Sequence, residues 1–107
     1  KDTLIDYKII KATPFLDFHP NGKLKIKGQF KNGFRDSLWV SYYPNGIIQS
    51  KNYYKDSVLN GNSIVYYSDG SIRYAGFYLQ GKKHGKWEFI DKEGNKREIW
   101  FNHGNKK

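Results

Sequence analysis

Three histidines and ten acidic residues are the side chains of this 107-residue chain with which metal or general acid–base chemistry would have to begin. His19, His84 and His103 each adjoin a turn-forming Pro or Gly, and neither an HExxH spacing nor a carboxylate cluster accompanies them. Asp17 and Glu88 fall in distant segments, and Asp17 is expected to face Lys25. That leaves no carboxylate pair of the kind that hydrolyses glycosidic bonds. Cysteine is absent, which excludes disulfides, thiolate ligands and thiol nucleophiles. No Gly-x-Ser-x-Gly elbow or phosphate loop occurs. The expectation is a noncatalytic chain with no metal or cofactor, whose histidines are exposed turn residues.

The chain does carry aromatic and cationic surface chemistry. Aromatic residues make up 18% of it, and the formal net charge is +9 with a pI near 9.7. Such a balance suits an anionic partner, whether an acidic protein, nucleic acid, lipid headgroups or an envelope polymer; solubility alone is the competing explanation. Lys outnumbers Arg sixteen to three. Because Arg is the better base reader and no RNP-type or zinc signature is present, nucleic acid is not the expected partner.

These residues are positioned by an internal repeat. "DFHPNGKLK", "SYYPNGIIQ" and "VYYSDGSIR" recur at intervals of 24, so that Gly22, Gly46, Gly70 and Gly94 share one turn position. A second turn recurs at Gly33, Ser57 and Gly81, and a third small-residue position at Ser37, Gly61 and Gly85. Between turns the residues alternate, as in Lys23-Leu24-Lys25-Ile26-Lys27, which is the period of a half-buried strand. The expected fold is all-β: an elongated, twisted antiparallel meander of roughly eight strands, built from tandem 24-residue β-hairpins. One domain is expected over 1–107, with an N-terminal cap or partial repeat at 1–14, repeats at 15–38, 39–62 and 63–86, and an atypical C-terminal repeat at 87–107. Leu4, Ile5, Tyr7, Ile9 and Ile10 would supply the cap. In the last unit one residue is deleted and Lys96 enters an apolar column, so its register stays open.

A three-residue loop at Pro20-Asn21-Gly22 predicts Phe18 opposite Leu24, Leu16 opposite Ile26 and Asp17 opposite Lys25. The same register pairs Tyr42 with Ile48, Val40 with Ser50, Tyr66 with Ile72 and Ile64 with Tyr74. Three core columns follow: Phe18, Tyr42, Tyr66 and Ile90; Leu24, Ile48 and Ile72; Phe30, Tyr54 and Tyr78. The opposite face is expected to collect Phe15, Trp39, Tyr43, Tyr53, Tyr67, Phe77, Trp87 and Phe89 among Lys23, Lys25, Lys27, Lys51 and Arg73. Trp39, Tyr43, Tyr67, Trp87, Lys23, Lys25, Lys27 and Arg73 are therefore the candidate partner-binding residues, since aromatic side chains and cations anchor interfaces. Packing as a minor second core is the structural alternative.

"YYPNGIIQSKNYYKDSVLNG" and "YYSDGSIRYAGFYLQGKKHGKW" resemble the bacterial variant of the MORN repeat found in YwqK-type, antitoxin-like proteins. The resemblance covers about residues 15–104. Gly81-Lys82-Lys83-His84-Gly85-Lys86-Trp87 fits that pattern best, whereas Asn52 and Ser57 replace expected glycines and Ser63 an expected Trp. The resemblance implies a noncatalytic repeat sheet that mediates protein–protein interaction, antitoxin-like or as a scaffold. The alternative is a basic adaptor for anionic lipid or cell-envelope polysaccharide, and the "YY" and Gly content is distantly similar to choline-binding and glucan-binding wall repeats. No run of about 18 apolar residues is present, so the chain is expected to be soluble. Having no Met, it is expected to lack its native N-terminus, which leaves cytoplasmic and exported locations both open; the oligomeric state is equally open, with edge pairing one route to a dimer.

Overall fold

The computed structural model describes the backbone of residues 2–5 and 8–107 and the side chains of residues 11–107. Ten strands follow one another in sequence and in space: β1 (Asp2–Ile5), β2 (Lys8–Phe18), β3 (Leu24–Lys31), β4 (Phe34–Tyr42), β5 (Ile48–Lys55), β6 (Val58–Tyr66), β7 (Ile72–Leu79), β8 (Lys82–Ile90), β9 (Lys96–Asn102) and β10 (Asn105–Lys106). Every neighbour pair is antiparallel. The meander expected from the alternation is thus formed, with ten strands in place of roughly eight, β1 and the short β10 being the additions. The side chains of Leu4, Ile5, Tyr7, Ile9 and Ile10, on which the expected cap rests, lie outside the described residues.

The sheet measures 52 × 40 × 14 Å and has a radius of gyration of 16.3 Å. A compact domain of this length would have about 13 Å. The thickness is that of a single layer with its side chains, and among the described residues no second layer covers either face.

Two turn chemistries alternate along the meander. At one end His19 N–H donates to Lys23 O and Gly22 N–H to His19 O, and the same pair of bonds closes Tyr43–Ile47, Tyr67–Ser71 and Asp91–Asn95. These are three-residue loops in which Gly22, Gly46, Gly70 and Gly94 take φ of 86° to 93°, the left-handed conformation that glycine adopts without steric penalty. At the other end are two-residue turns with both central residues at positive φ: Asn32-Gly33, Asp56-Ser57, Gln80-Gly81 and His103-Gly104.

The register departs from expectation one step beyond each three-residue loop. Phe18 pairs with Leu24, Tyr42 with Ile48 and Tyr66 with Ile72, as expected; but Asp17 pairs with Ile26, Ser41 with Ser50 and Val65 with Tyr74. Leu16 therefore faces Lys27 instead of Ile26, Val40 faces Lys51 instead of Ser50, and Ile64 faces Ala75 instead of Tyr74. Lys25, Gln49 and Arg73 are the extra residues of β-bulges, which throw the side chains beyond them onto the opposite face. In the last unit Ile90 pairs with Lys96 and Phe89 with Arg97 with no bulge between. The deleted residue is the bulge residue, and Lys96 is exposed and bonded to Glu88 at 3.4 Å.

A second irregularity recurs in the strands that carry the tryptophans. Lys27 pairs with Val40 and Gln29 with Asp36, so Gly28 alone spans Ser37, Leu38 and Trp39; Gly76 likewise spans Gly85, Lys86 and Trp87. Ser37, Gly61 and Gly85, the third small-residue position, all have positive φ. The two irregularities re-sort the faces. Phe30, Tyr54 and Tyr78 share a face with Trp39 and Trp87, while the columns of Phe18 and Leu24 lie on the other face with Tyr53 and Phe77.

Candidate protein-binding surface

Trp39 and Trp87 are the centres of the closed face. They are 3% and 0% exposed, so neither ring is open to a partner, contrary to their expected place on an exposed face. Each lies flat on the backbone of a glycine in the neighbouring strand: a Cβ added at Gly28 or Gly76 would come well under 3.0 Å from the indole. Each indole N–H donates to the carbonyl of the residue after that glycine, Trp39 to Gln29 at 3.1 Å and Trp87 to Phe77 at 3.0 Å. Phe15, Phe30 and Tyr54 pack around Trp39, and Tyr74, Tyr78, Phe89 and Phe101 around Trp87, with centroid separations of 5.0 to 6.4 Å. A cation closes each cluster, Arg35 at 4.3 Å from the Trp39 ring and Lys83 at 5.3 Å from that of Trp87. Burial among these rings pushes the Tyr78 phenol above its ordinary pKa.

In the middle repeat the equivalent pair is Asn52 and Ser63. Ser63 is 2% exposed and donates to the Asn52 side chain. Two small polar residues replace one absent and one large side chain. The replacement is concerted, since a Trp at 63 would meet the Asn52 Cβ.

Tyr43 and Tyr67 are also occupied internally. Their hydroxyls donate to the carbonyls of Tyr66 and Ile90, one repeat onward, at 2.5 and 2.7 Å, and His19 Nε2 meets Tyr42 O at 2.8 Å in the preceding repeat. Asn21 and Asn45 extend the ladder, donating to Pro44 O and Ser68 O. Hydrogen bonds between successive repeats thus fix this end of the sheet.

The candidate cations are dispersed. Lys23 is in the first loop, Lys25 is a bulge residue, and Lys27 lies beside Val40 on the face away from the tryptophans. Of the eight residues singled out from sequence, Tyr67 and Arg73 do meet, the guanidinium standing 5.8 Å from the ring. They share a trough on the closed face with Tyr43 and Lys92 on one side and Tyr74, Phe89 and Arg97 on the other.

The opposite face is open. Leu16, Leu38, Tyr53, Phe77 and Trp100 are 58%, 37%, 43%, 39% and 51% exposed. Leu38 pairs with Tyr53, Asn62 with Phe77, Phe77 with His84 and Lys86 with Trp100, which places these apolar side chains in one band across β4 to β9 with Asn62, His84 and Lys86 between them. Two shallow grooves run along this face, one behind each Trp–Gly pair. Leu16, Lys27, Leu38 and Val40 line the first; Ile64, Ala75, Phe77 and Lys86 line the second. Their centres, on β3 and β7, are four strand spacings apart, roughly 19 Å. The ion pairs found among the described residues, Lys86–Glu88, Lys86–Glu98 and Lys96–Glu88, are all at the β9 end of this face. Sequence reasoning missed Leu16, Leu38 and Trp100; Ser37 and Gly85, visible as a recurring small-residue position, were the available signal. Among the described residues no group of three or more His, Cys, Asp or Glu side chains is placed to hold a metal ion, and no helix is long and apolar enough to cross a membrane.

The single-layer sheet of repeated hairpins, each repeat stapled to the next through its turns, defines a repeat-sheet protein. The MORN repeat variant family matches residues 14–32, 35–56 and 59–80, more than half of the chain, and the chain belongs to that family. MORN repeats are generally noncatalytic modules that bind proteins or membrane lipids. No protein of curated function matches the chain.

Proposed function

We propose that the chain is a noncatalytic module that binds a protein partner through its open face, with Leu38, Tyr53, Phe77 and Trp100 as anchors and the two grooves as the seats for partner side chains. One observation carries this reading: Leu38, Tyr53, Phe77 and Trp100 stand exposed along one band of one face of a one-layer sheet, while the more aromatic opposite face packs largely on itself around Trp39 and Trp87. Contiguous exposed apolar surface rimmed by charge marks a contact, and aromatic residues at its centre dominate the binding energy. An antitoxin-like or scaffolding role is compatible with such a face. On the open face Lys27 and Lys86 stand among apolar side chains, and Lys86 and Lys96 are paired with Glu88 and Glu98, so a basic adaptor for anionic lipid or polysaccharide has less support.

The test is capture of binding partners from a lysate of the source organism at low and high salt, with the Phe77→Ser, Trp100→Ser double variant run beside the wild type. A discrete protein should survive high salt on the wild type and be lost from the variant, while the variant's circular dichroism and melting stay near wild type. Truncation of such anchors costs at least about 2 kcal/mol each, roughly thirtyfold in affinity. Retention of that protein by the folded variant, or release of all bound material by salt, contradicts the proposal.

A further inference from the structure

The trough on the closed face is not used by the contact proposed above. Its two halves share Tyr67 and Arg73 and together cross from Tyr43, in the β4–β5 loop, to Arg97 on β9 at the three-residue-loop end. Its floor is aromatic, with Tyr74 and Phe89 in contact at 5.9 Å. A guanidinium stands over an aromatic ring on each side of that floor: Arg73 over Tyr67 at 5.8 Å, and Arg97 over Phe89 at 5.7 Å. Among the described residues neither arginine has a carboxylate partner. The acids at the rim are committed to their own turns. Asp69 accepts from the Ser71 hydroxyl and N–H, and Asp91 from the N–H groups of Asn95 and Glu93 and the Asn95 side chain. Lys96, which also lines the trough, is held by Glu88, but Lys92 has no ion-pair partner among the described residues.

From this arrangement we infer a second binding site, for an extended acidic peptide whose carboxylates pair with Arg73 and Arg97 and whose intervening residues lie on Tyr74 and Phe89. A guanidinium held near an aromatic ring and unpaired with any carboxylate keeps its planar donor fork for bidentate pairing with an arriving carboxylate. The spacing selects the ligand. Arg73 and Arg97 project from strands two apart in the sheet, roughly 10 Å. A single phosphate or sulfate is too small to engage both. A polyproline II chain repeats its faces every three residues, about 9.3 Å, so carboxylates at positions i and i+3 match the two guanidiniums. Such a chain lies across the strands and needs no free sheet edge. Lys92 then meets the acidic peptide at its turn-proximal side.

The probe is the blocked peptide Glu-Pro-Pro-Glu-Pro-Pro-Glu, titrated into the protein and followed by isothermal titration calorimetry. The parallel arms are the Gln-Pro-Pro-Gln-Pro-Pro-Gln peptide, inorganic phosphate and vesicles containing phosphatidylserine. Saturable binding by the acidic peptide alone is expected, weakened at least tenfold in Arg73→Gln and in Arg97→Gln and unchanged in Lys11→Gln and Lys55→Gln, which change charge away from the trough. Four outcomes would overturn the assignment: equal binding of the glutamine peptide; equal losses in the lysine controls, which would mean diffuse charge attraction; phosphate saturating the site as tightly as the peptide, which would make it a small-anion site; or response to vesicles alone, which would make it a lipid contact. Melting of both arginine variants within a few degrees of wild type separates loss of binding from loss of fold.

Discussion

The residue-scale unit of this molecule is a tryptophan lying on a glycine. Gly28 and Gly76 are required for the space that a Cβ would take from the indoles of Trp39 and Trp87. The contact is to the middle of a ring held by its own N–H bond, not to the end of a flexible side chain. Gly76→Ala is expected to destabilise the sheet by about 1–3 kcal/mol through overpacking, and Trp87→Ala by about 3–5 kcal/mol through the cavity left behind. Urea denaturation of the two single variants and the double variant checks this: the double should cost clearly less than the sum, because the two changes act on one contact. Strict additivity would contradict the pairing. The middle repeat supplies a converse prediction. Ser63→Trp alone should be strongly destabilising, whereas Asn52→Gly with Ser63→Trp should recover most of the loss in the same denaturation assay. The identities of these residues were evident in the sequence, where Asn52 and Ser63 stood out against the repeat pattern. Their association was not, because Trp39 and Gly28 meet across strands only once the irregularity at Ser37 has set the register.

The elements are hairpins whose turns do more than reverse the chain. The Tyr67 hydroxyl bonds to Ile90 O and that of Tyr43 to Tyr66 O, so each loop is tied to the next repeat. Tyr67→Phe should lower stability by about 1 kcal/mol, with little change in the sheet's circular dichroism. Two loop carboxylates also contribute acid sensitivity. The Asn95 N–H and side-chain amide hold the Asp91 carboxyl below its usual pKa, and the Ser71 hydroxyl and N–H do the same for Asp69. A depressed carboxylate stabilises the fold above its unfolded pKa, about 3.9 for Asp, and that contribution disappears as pH falls through the lower folded value. Melting temperatures recorded from pH 6 to pH 2.5 should therefore fall at the acid end, and less steeply in Asp91→Asn. An identical slope would exclude Asp91 as a source. At this scale the turns were legible, since an Asn-Gly or Asp-Gly at a fixed interval dictates a loop and the first pair beyond it. The bulges at Lys25, Gln49 and Arg73 were not, because a bulge leaves no mark in the alternation that precedes it, and one unread bulge sends Phe30, Tyr54 and Tyr78 to the wrong face.

As a whole the molecule is a sheet one layer thick, in which each repeat contacts only its neighbours. Stability in such an array is a sum of local terms and nearest-neighbour couplings, so the self-packed aromatic face must serve as the core. That division leaves the other face available. The total of aromatic residues and the basic balance could be read directly from sequence, but which face each aromatic occupies depends on both kinds of irregularity in every repeat. Trp39 and Trp87 therefore looked like binding residues, while Trp100, the exposed tryptophan, did not. All three can be observed together by labelling the protein with 5-fluorotryptophan and recording its fluorine spectrum with and without the captured partner. The account predicts that only the Trp100 resonance moves on binding, with those of Trp39 and Trp87 held in place by their glycines and neighbouring rings. A shift of Trp39 or Trp87 with Trp100 unmoved would contradict the assignment of the open face as the binding surface.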